Sequence, residues 1–434
     1  MSVRPGHGES PAPGCRFCGA DLRLTVVDLG MSPLCESFLR AEQTRTMEPF
    51  YPLHVLACER CWLVQLEAFV QPEEIFTEYA YFSAYSTAWV EHAREYVEMI
   101  RGRLGLGSDD LVIELASNDG YLLQHFAGTG VPVLGIDPAA NVAEAAEARG
   151  VPTLVEFFGR EAATRLAAEG KRATLVLGNN VLAQVPDLND FVAGVKILLR
   201  DEGTATFEFP HLLRLVDELQ YDTIYHEHFS YFSFATIGEI LGRHGLEVYD
   251  VEELWTHGGS LRVYARHADG VRARSAAVEE LLTREDAAGL RYPERYARFA
   301  EDVKESKRAL LDLLIRLRRE GRTIAGYGAP GKGNTLLNYC GIRTDLLDFT
   351  VDRNPYKHGL LTPGTHIPIH PPEHINEARP DYLLVLPWNL VEEISAQLEY
   401  VAEWGAKLIV PIPLATVIEP GEGARERLAI VRAA

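Results

Sequence analysis

The chain has 434 residues, which at roughly 150 residues per domain calls for about two to four domains. Hydrophobic residues make up 47% and charged residues 24%, a globular balance that excludes a mostly disordered chain. Lys plus Arg is 42 against 62 for Asp plus Glu, a net charge of −20, which argues against nonspecific nucleic-acid or anionic-membrane partners because such binding needs clustered positive charge.

Residues 1–14, rich in Pro, Gly and Ser and without an apolar stretch, read as a short disordered lead and not a signal peptide. No apolar run approaches the roughly 18 residues of a membrane span. Six cysteines in so long a chain make no disulfide framework: four form two close pairs, Cys35 and Cys340 stand alone, and the expected compartment is the reducing cytoplasm.

Residues 15–75 hold the cysteine pairs, Cys15-Arg-Phe-Cys18-Gly19 and Cys58-Glu-Arg-Cys61. Each places two thiolates on a tight turn, and two such turns complete a tetrahedral structural zinc site with no open position for catalysis. Gly19 suits the backbone strain of such a turn. The long separation between the pairs requires a β-rich lobe to return the chain, and its thin core needs the metal.

Residues 76–300 alternate apolar strands, expected at Leu111–Leu115, Pro132–Ile136, Ala173–Leu177 and Ala205–Phe209, with amphipathic stretches such as Asn141–Arg149. That alternation predicts a parallel sheet covered by helices. The first strand ends in Glu114-Leu-Ala116-Ser-Asn118-Asp119-Gly120 and is expected to run into a helix from Tyr121. Small residues there let backbone approach a ligand, and Asp137, at the end of the next strand, can accept both hydroxyls of a ribose. A carboxylate-rich loop repels a pyrophosphate, so the pattern points away from NAD and toward the cationic S-adenosylmethionine. Asn179 and Asn180 end a further strand on the same rim.

Tyr225-His226-Glu227-His228 is the densest titratable cluster. A histidine can act as general base, a neighbouring carboxylate can orient it, and a tyrosine can stabilise an enolate oxygen. The two histidines are two residues apart, which is not zinc-protease spacing. Tyr79 and Tyr81 form a second aromatic-hydroxyl group able to roof the same pocket, and His257-Gly258-Gly259-Ser260 is a candidate lining of the acceptor site.

Residues 301–434 form a second, smaller α/β unit behind a polar connector helix, about Tyr292 to Glu320. Its strands are expected at Thr323–Gly328, Leu347–Val351, Tyr382–Leu386 and Lys407–Val410. Lys332, among Gly326, Gly328, Gly331 and Gly333 at a helix N-terminus, is the best single candidate to hold a diphosphate.

Taken in order, the two Cys-x-x-C knuckles, Tyr79-x-Tyr81-x-Ser83, Ile113-Glu114-x-Ala116-Ser-Asn118-Asp119-Gly120, Tyr225-x-Glu227-His228-Phe229-x-x-Phe232-Ser233, His257-Gly-Gly and Gly326-Tyr-Gly-Ala-x-x-Lys332 resemble the zinc-containing nucleotide-sugar C-methyltransferases, which build branched deoxysugars. The resemblance covers Cys15 to about Val410, and the order is more specific than any one motif. It implies a small zinc lobe, a class I methyltransferase Rossmann-like central domain and a C-terminal Rossmann-like domain for a nucleotide sugar.

It further implies Cys15, Cys18, Cys58 and Cys61 as zinc ligands; Glu114, Asn118 and Asp137 around the methyl donor, with Ala116, Gly120 and Asn179 on the same rim; His228 as base beside Tyr225 and Glu227; Tyr81 over the pocket; and Lys332 near the diphosphate, with Tyr79 and His257 on the acceptor side. The expected reaction is carbon methylation of a 4-keto deoxysugar nucleotide, dTDP-linked and at carbon 3. Methylation of oxygen or nitrogen, or of a non-sugar acceptor, is the alternative. Two departures bear on the sugar. Gln184 stands where the family often has a histidine, and His226 stands where a member has an aspartate. The sequence carries no signal of an oligomer interface.

Overall fold

The computed structural model describes residues 12–71 and 82–433. Tyr79 and Tyr81 lie outside the described residues, as does the lead up to residue 11; Gly14 already pairs with Asp21 ahead of the first knuckle. Three sheets carry the chain.

In the first lobe, short apolar runs between turns give β1 (Leu24–Ser32), β2 (Tyr51–Ala57) and β3 (Val64–Leu66), paired antiparallel in sequence order. The central unit opens with helix α1 (Thr87–Leu104), capped by the Ser86 side chain at its start and by left-handed Gly105 at its end.

The strands β4 (Val112–Leu115), β5 (Val133–Asp137), β6 (Thr153–Val155), β7 (Ala173–Asn179) and β8 (Leu199–Pro210) follow, and all pair in parallel. Every residue of β4 is buried, as befits a strand covered on both faces. Strand β9 (Ser230–Tyr231) leaves this unit and pairs with β3, so the zinc lobe's sheet is closed by a piece of the central domain.

The central sheet ends with β10 (Leu246–Leu254) and β11 (Ser260–His267) and has the order β10-β11-β8-β7-β4-β5-β6. β11 runs antiparallel to both neighbours. The chain winds outward in opposite senses from β4, so a crevice opens beyond the carboxyl ends of β4 and β7.

The helix expected after Gly120 is a single 3₁₀ turn, Leu123–Phe126. Left-handed Gly128 and Gly130 break the chain before an α-helix can form. The connector, α2 (Pro293–Arg319), is less polar than the sequence implied: Tyr296, Phe299, Val303, Leu310, Leu314 and Leu317 form a buried stripe at helical spacing.

The third sheet joins β12 (Ile324–Tyr327), β13 (Thr350–Val351), β14 (Ile369–His370), β15 (Tyr382–Val385), β16 (Lys407–Val410) and β17 (Thr416–Ile418) in the order β14-β13-β12-β15-β16-β17. Only β17 is antiparallel, and helix α3 (Gly331–Cys340) follows β12, which gives the doubly wound pattern.

Candidate functional site

The four knuckle sulfurs come together. Cys15 and Cys61 Sγ are 3.6 Å apart, Cys18 and Cys58 Sγ 3.5 Å, and all four lie within 4.8 Å of one another. A tetrahedron with zinc–sulfur bonds of about 2.3 Å has edges of about 3.8 Å, so the spacing fits zinc and the charge of four thiolates suits it. Gly19 and Trp62, each directly after its knuckle, are both left-handed. Gln65 Nε2 donates to Cys15 Sγ at 3.2 Å while its Oε1 accepts from the Arg16 amide. Gln65 also sits opposite Ser230 in the β3–β9 pair, which ties the metal site to the segment carrying His228.

At the crevice, Ala116, Asn118 and Gly120 all have positive φ. Holding Ala and Asn there costs about 1–3 kcal/mol each, and such strain gathers at ligand sites. Asp137 holds the loop, its two oxygens accepting from the Asn118 and Ala139 amides, both at 2.9 Å. The Asn118 and Asp119 side chains accept from the Ser83 and Ala84 amides and so dock the segment leading into α1.

Glu114 is fully buried. Burial, then the charge of Asp137, pushes its carboxyl well above the usual range, with the Tyr121 hydroxyl pulling the other way. Ser117 Oγ, Asn179 Nδ2 and Asn180 Oδ1 have no hydrogen-bond partner of ordinary geometry among the described residues. Such orphans call for a polar ligand. An adenosine with an amino acid tail fits them, so Glu114, Asp137 and Asn179 are the groups that would hold S-adenosylmethionine.

Beyond this crevice stands His228, buried, with its ring centroid 4.0 Å from that of Tyr225. Its Nδ1 donates to the Thr223 carbonyl at 3.1 Å, which leaves Nε2 as the basic nitrogen. Burial lowers its pKa to about 3 against the pull of Thr223, and the charges of His257 and Lys332 push it the same way as burial. The orienting acceptor is thus a backbone carbonyl. Glu227 Oε1 instead accepts from the Cys35 thiol at 3.6 Å. His226 turns toward the zinc lobe, its Nε2 on the Pro52 carbonyl at 3.2 Å.

His257 joins the cluster from the loop before β11. It is left-handed, with φ of 54°, its ring is edge-on to Trp89 at 5.1 Å, and its Nδ1 has no partner among the described residues. Trp89 also stacks on Tyr121, so α1 joins the loop after β4 to the His257 loop. Sequence reasoning missed what anchors this loop. Fully buried Glu208 accepts from Thr256 Oγ1 at 2.8 Å, pairs with Arg262 at 2.8 Å and lies 2.9 Å from His92 Nε2. Its signal was present, a lone carboxylate inside the apolar run Phe207–Phe209.

The C-terminal unit supplies the opposite wall, also missed apart from Lys332. Lys332 Nζ donates to Asn389 Oδ1 at 2.7 Å and stands 5.3 Å above the Trp388 ring. Trp388 Nε1 donates to Asp222 Oδ2 at 2.6 Å. Burial pushes Asp222 up to about 6, with Lys332 and the Trp388 bond opposing. Gln184, itself half-buried, ends a buried 3₁₀ turn whose Ala183 carbonyl accepts from the Phe229 amide at 2.7 Å.

Three family models match the chain in order: a zinc binding domain at 15–76, a methyltransferase domain at 89–251 and a C-methyltransferase C-terminal domain at 255–413. C-methyltransferase NovU of Streptomyces niveus is 38% identical over 408 residues, 94% of this chain and 97% of NovU. Similar solved structures include an S-adenosylmethionine-dependent methyltransferase of Clostridium acetobutylicum, 12% identical with a TM-score of 0.34 over 42% of this chain and 92% of its own. Another is magnesium protoporphyrin IX methyltransferase of Synechocystis, 17% identical with a TM-score of 0.31 over 41% and 80%. No helix among the described residues is long and apolar enough to cross a membrane. The zinc-type cysteine cluster, the doubly wound central sheet and a relative matched almost end to end lead to one statement: the chain belongs to the S-adenosylmethionine-dependent C-methyltransferases.

Proposed function

We propose that the enzyme methylates carbon 3 of a 4-keto deoxysugar carried on a nucleoside diphosphate, dTDP foremost, in the making of a branched deoxysugar. The observation that carries this reading is the His228 imidazole, presented with Nε2 free to act as base by the Thr223 carbonyl and flanked by Tyr225, on the far side of the donor crevice. A ketone acidifies the neighbouring C–H, and the Thr223 bond and burial keep His228 in the form able to accept the proton.

The donor, when bound, supplies a methyl group on a positively charged sulfur. The chain's residues do the rest. His228 Nε2 takes the proton from carbon 3, and the C–H electron pair becomes an enolate with its charge on the carbonyl oxygen. Tyr225 stabilises that oxygen, and Glu114, Asn118 and Asp137 keep the donor in register, so that positioning and a pre-oriented field lower the barrier. Lys332 and His257 face the acceptor. Cys15, Cys18, Cys58 and Cys61 would hold zinc, which there would cross-link the first lobe with all four positions filled by thiolate.

The test is incubation with S-adenosylmethionine and a panel of 4-keto deoxysugar nucleotides. The expected product gains one methyl, bonded to carbon by carbon NMR. A methyl on oxygen or nitrogen, or no gain with any sugar nucleotide while a non-sugar ketone is methylated, contradicts the reading.

A further inference from the structure

Helix α3 lies directly on the segment that carries the base. Thr335 Oγ1 donates to the Ile224 carbonyl at 3.1 Å, and the Tyr339 ring meets the Tyr221 ring edge-on at 5.4 Å. Lys332, one turn before Thr335 on the same helix, therefore stands over residues 222–228. Trp388 closes the arrangement. It bonds Asp222, next to the Thr223 that holds His228, and a side chain on Gly258 would come within 3.0 Å of it. Lys332, His228 and His257 thus share one pocket, with the Asp222 Oδ1 and His257 Nδ1 atoms lacking partners among the described residues.

The glycine loop below Lys332 is already supplied with anions. The Ala329 amide donates to Asp352 Oδ2 at 2.7 Å, and the Gly331 amide faces the Glu36 carboxylate. A side chain on Gly331 would meet Cys35 Sγ at 2.9 Å and Glu36 Oε1 at 3.1 Å. A diphosphate carries more than one charge and needs several free donors. The second ammonium at the loop, Lys357, is taken up by the Ala329 carbonyl at 2.9 Å and by Glu36 at 3.5 Å, which leaves Lys332, steadied by Asn389, facing the imidazoles.

Resting on the proposed ketosugar reading, we infer that Lys332 is a catalytic residue whose ammonium stabilises the enolate oxygen formed when His228 removes the proton, and that the diphosphate is held elsewhere. The C–H bond breaks, its proton goes to His228 Nε2, its pair forms the carbon–carbon double bond, and the charge rests on the oxygen facing Lys332. The C-terminal unit then completes the active site as well as binding substrate. Burial lowers the Lys332 ammonium, Asp222 opposes, and the charge of Lys332 in turn depresses both His228 and His257. An anion at this point relieves that repulsion.

The experiment compares wild type and Lys332→Met for carbon-3 hydrogen–deuterium exchange of a 4-keto deoxysugar nucleotide in D2O without methyl donor. Calorimetric affinities for thymidine 5′-diphosphate and for S-adenosylhomocysteine are measured alongside. The expected result is exchange at saturating substrate slowed about a hundredfold, with both affinities unchanged. Weakened diphosphate binding with exchange retained overturns the inference and leaves the ketosugar reading standing. Absence of exchange and of methyl transfer in wild type with every sugar nucleotide overturns both. If Lys332→Met fails to bind S-adenosylhomocysteine and so is misfolded, Lys332→Gln carries the same readouts, and Lys332→Arg restores exchange in part only if charge at this point is what matters.

Discussion

The His228 imidazole is built to stay neutral. Its pKa is lowered to about 3, chiefly by burial, so the proton-accepting form persists far below the ordinary value near 6.5. The sign follows directly: kcat/KM, which reports free-enzyme groups, is predicted to run flat through pH 6.5 with no inflection from this base. The neighbouring group that does titrate in that region is Asp222, raised to about 6. Any acid limb near pH 6 is therefore predicted to vanish in Asp222→Asn; a limb that persists there assigns it to a histidine. Asp137 belongs to the same scale. Removing its carboxylate in Asp137→Ala orphans the Asn118 and Ala139 amides, about 1–3 kcal/mol apiece, and releases a loop that keeps left-handed residues in place. Calorimetry is expected to show donor affinity reduced tenfold or more.

At the scale of elements, the β3–β9 pair is where the cysteine cluster's lobe meets the segment that carries the proposed base, His228. Leu66 N donates to the Phe229 carbonyl at 3.0 Å and Phe229 N to the Ala183 carbonyl at 2.7 Å, so the residue after His228 is clamped between zinc lobe and central domain. Cys58→Ser is predicted to lose bound zinc, lower the melting temperature and raise amide exchange at 228–231; metal loss with unchanged protection there would show that the lobe does not support the base.

Strands β4, β5, β7, β8, β12, β13, β15 and β16 were legible in the sequence because they sit on short, mainly apolar runs, Val112–Leu115 interrupted by Glu114 alone, whereas β6 and β14 are three and two residues long and were not. β9 was not, because two residues carry no periodicity and their partner is more than 160 residues away. The cysteine cluster was legible from spacing alone. The wall made by Asp222, Trp388 and Asn389 was hidden for the opposite reason, since it exists only where two units touch. Glu227, beside His228 in sequence, reaches Cys35, which nearest-neighbour reasoning could not foresee.

On the whole-molecule scale, the two Rossmann-like units meet where Trp388 bonds Asp222 and Thr335 bonds the Ile224 carbonyl, with His228 on the first unit and Lys332 on the second. Trp388 bridges that contact through its bond to Asp222, and Trp388→Leu is predicted to leave S-adenosylhomocysteine affinity intact while cutting turnover. Equal loss of both would mark a general fold defect. Against a net charge of −20, Lys332 places one ammonium beside the two neutral imidazoles of His228 and His257, a local exception of the sign an anionic intermediate requires.

The central claim is that carbon becomes the nucleophile after His228 takes its proton. The most direct measurement is deuterium uptake at carbon 3 of a 4-keto deoxysugar nucleotide in D2O, by wild type and by His228→Asn, with no methyl donor present. The account predicts uptake with wild type and a fall of about 10²–10⁴-fold in the variant at unaltered S-adenosylhomocysteine affinity; uptake that continues at the wild-type rate in His228→Asn contradicts it.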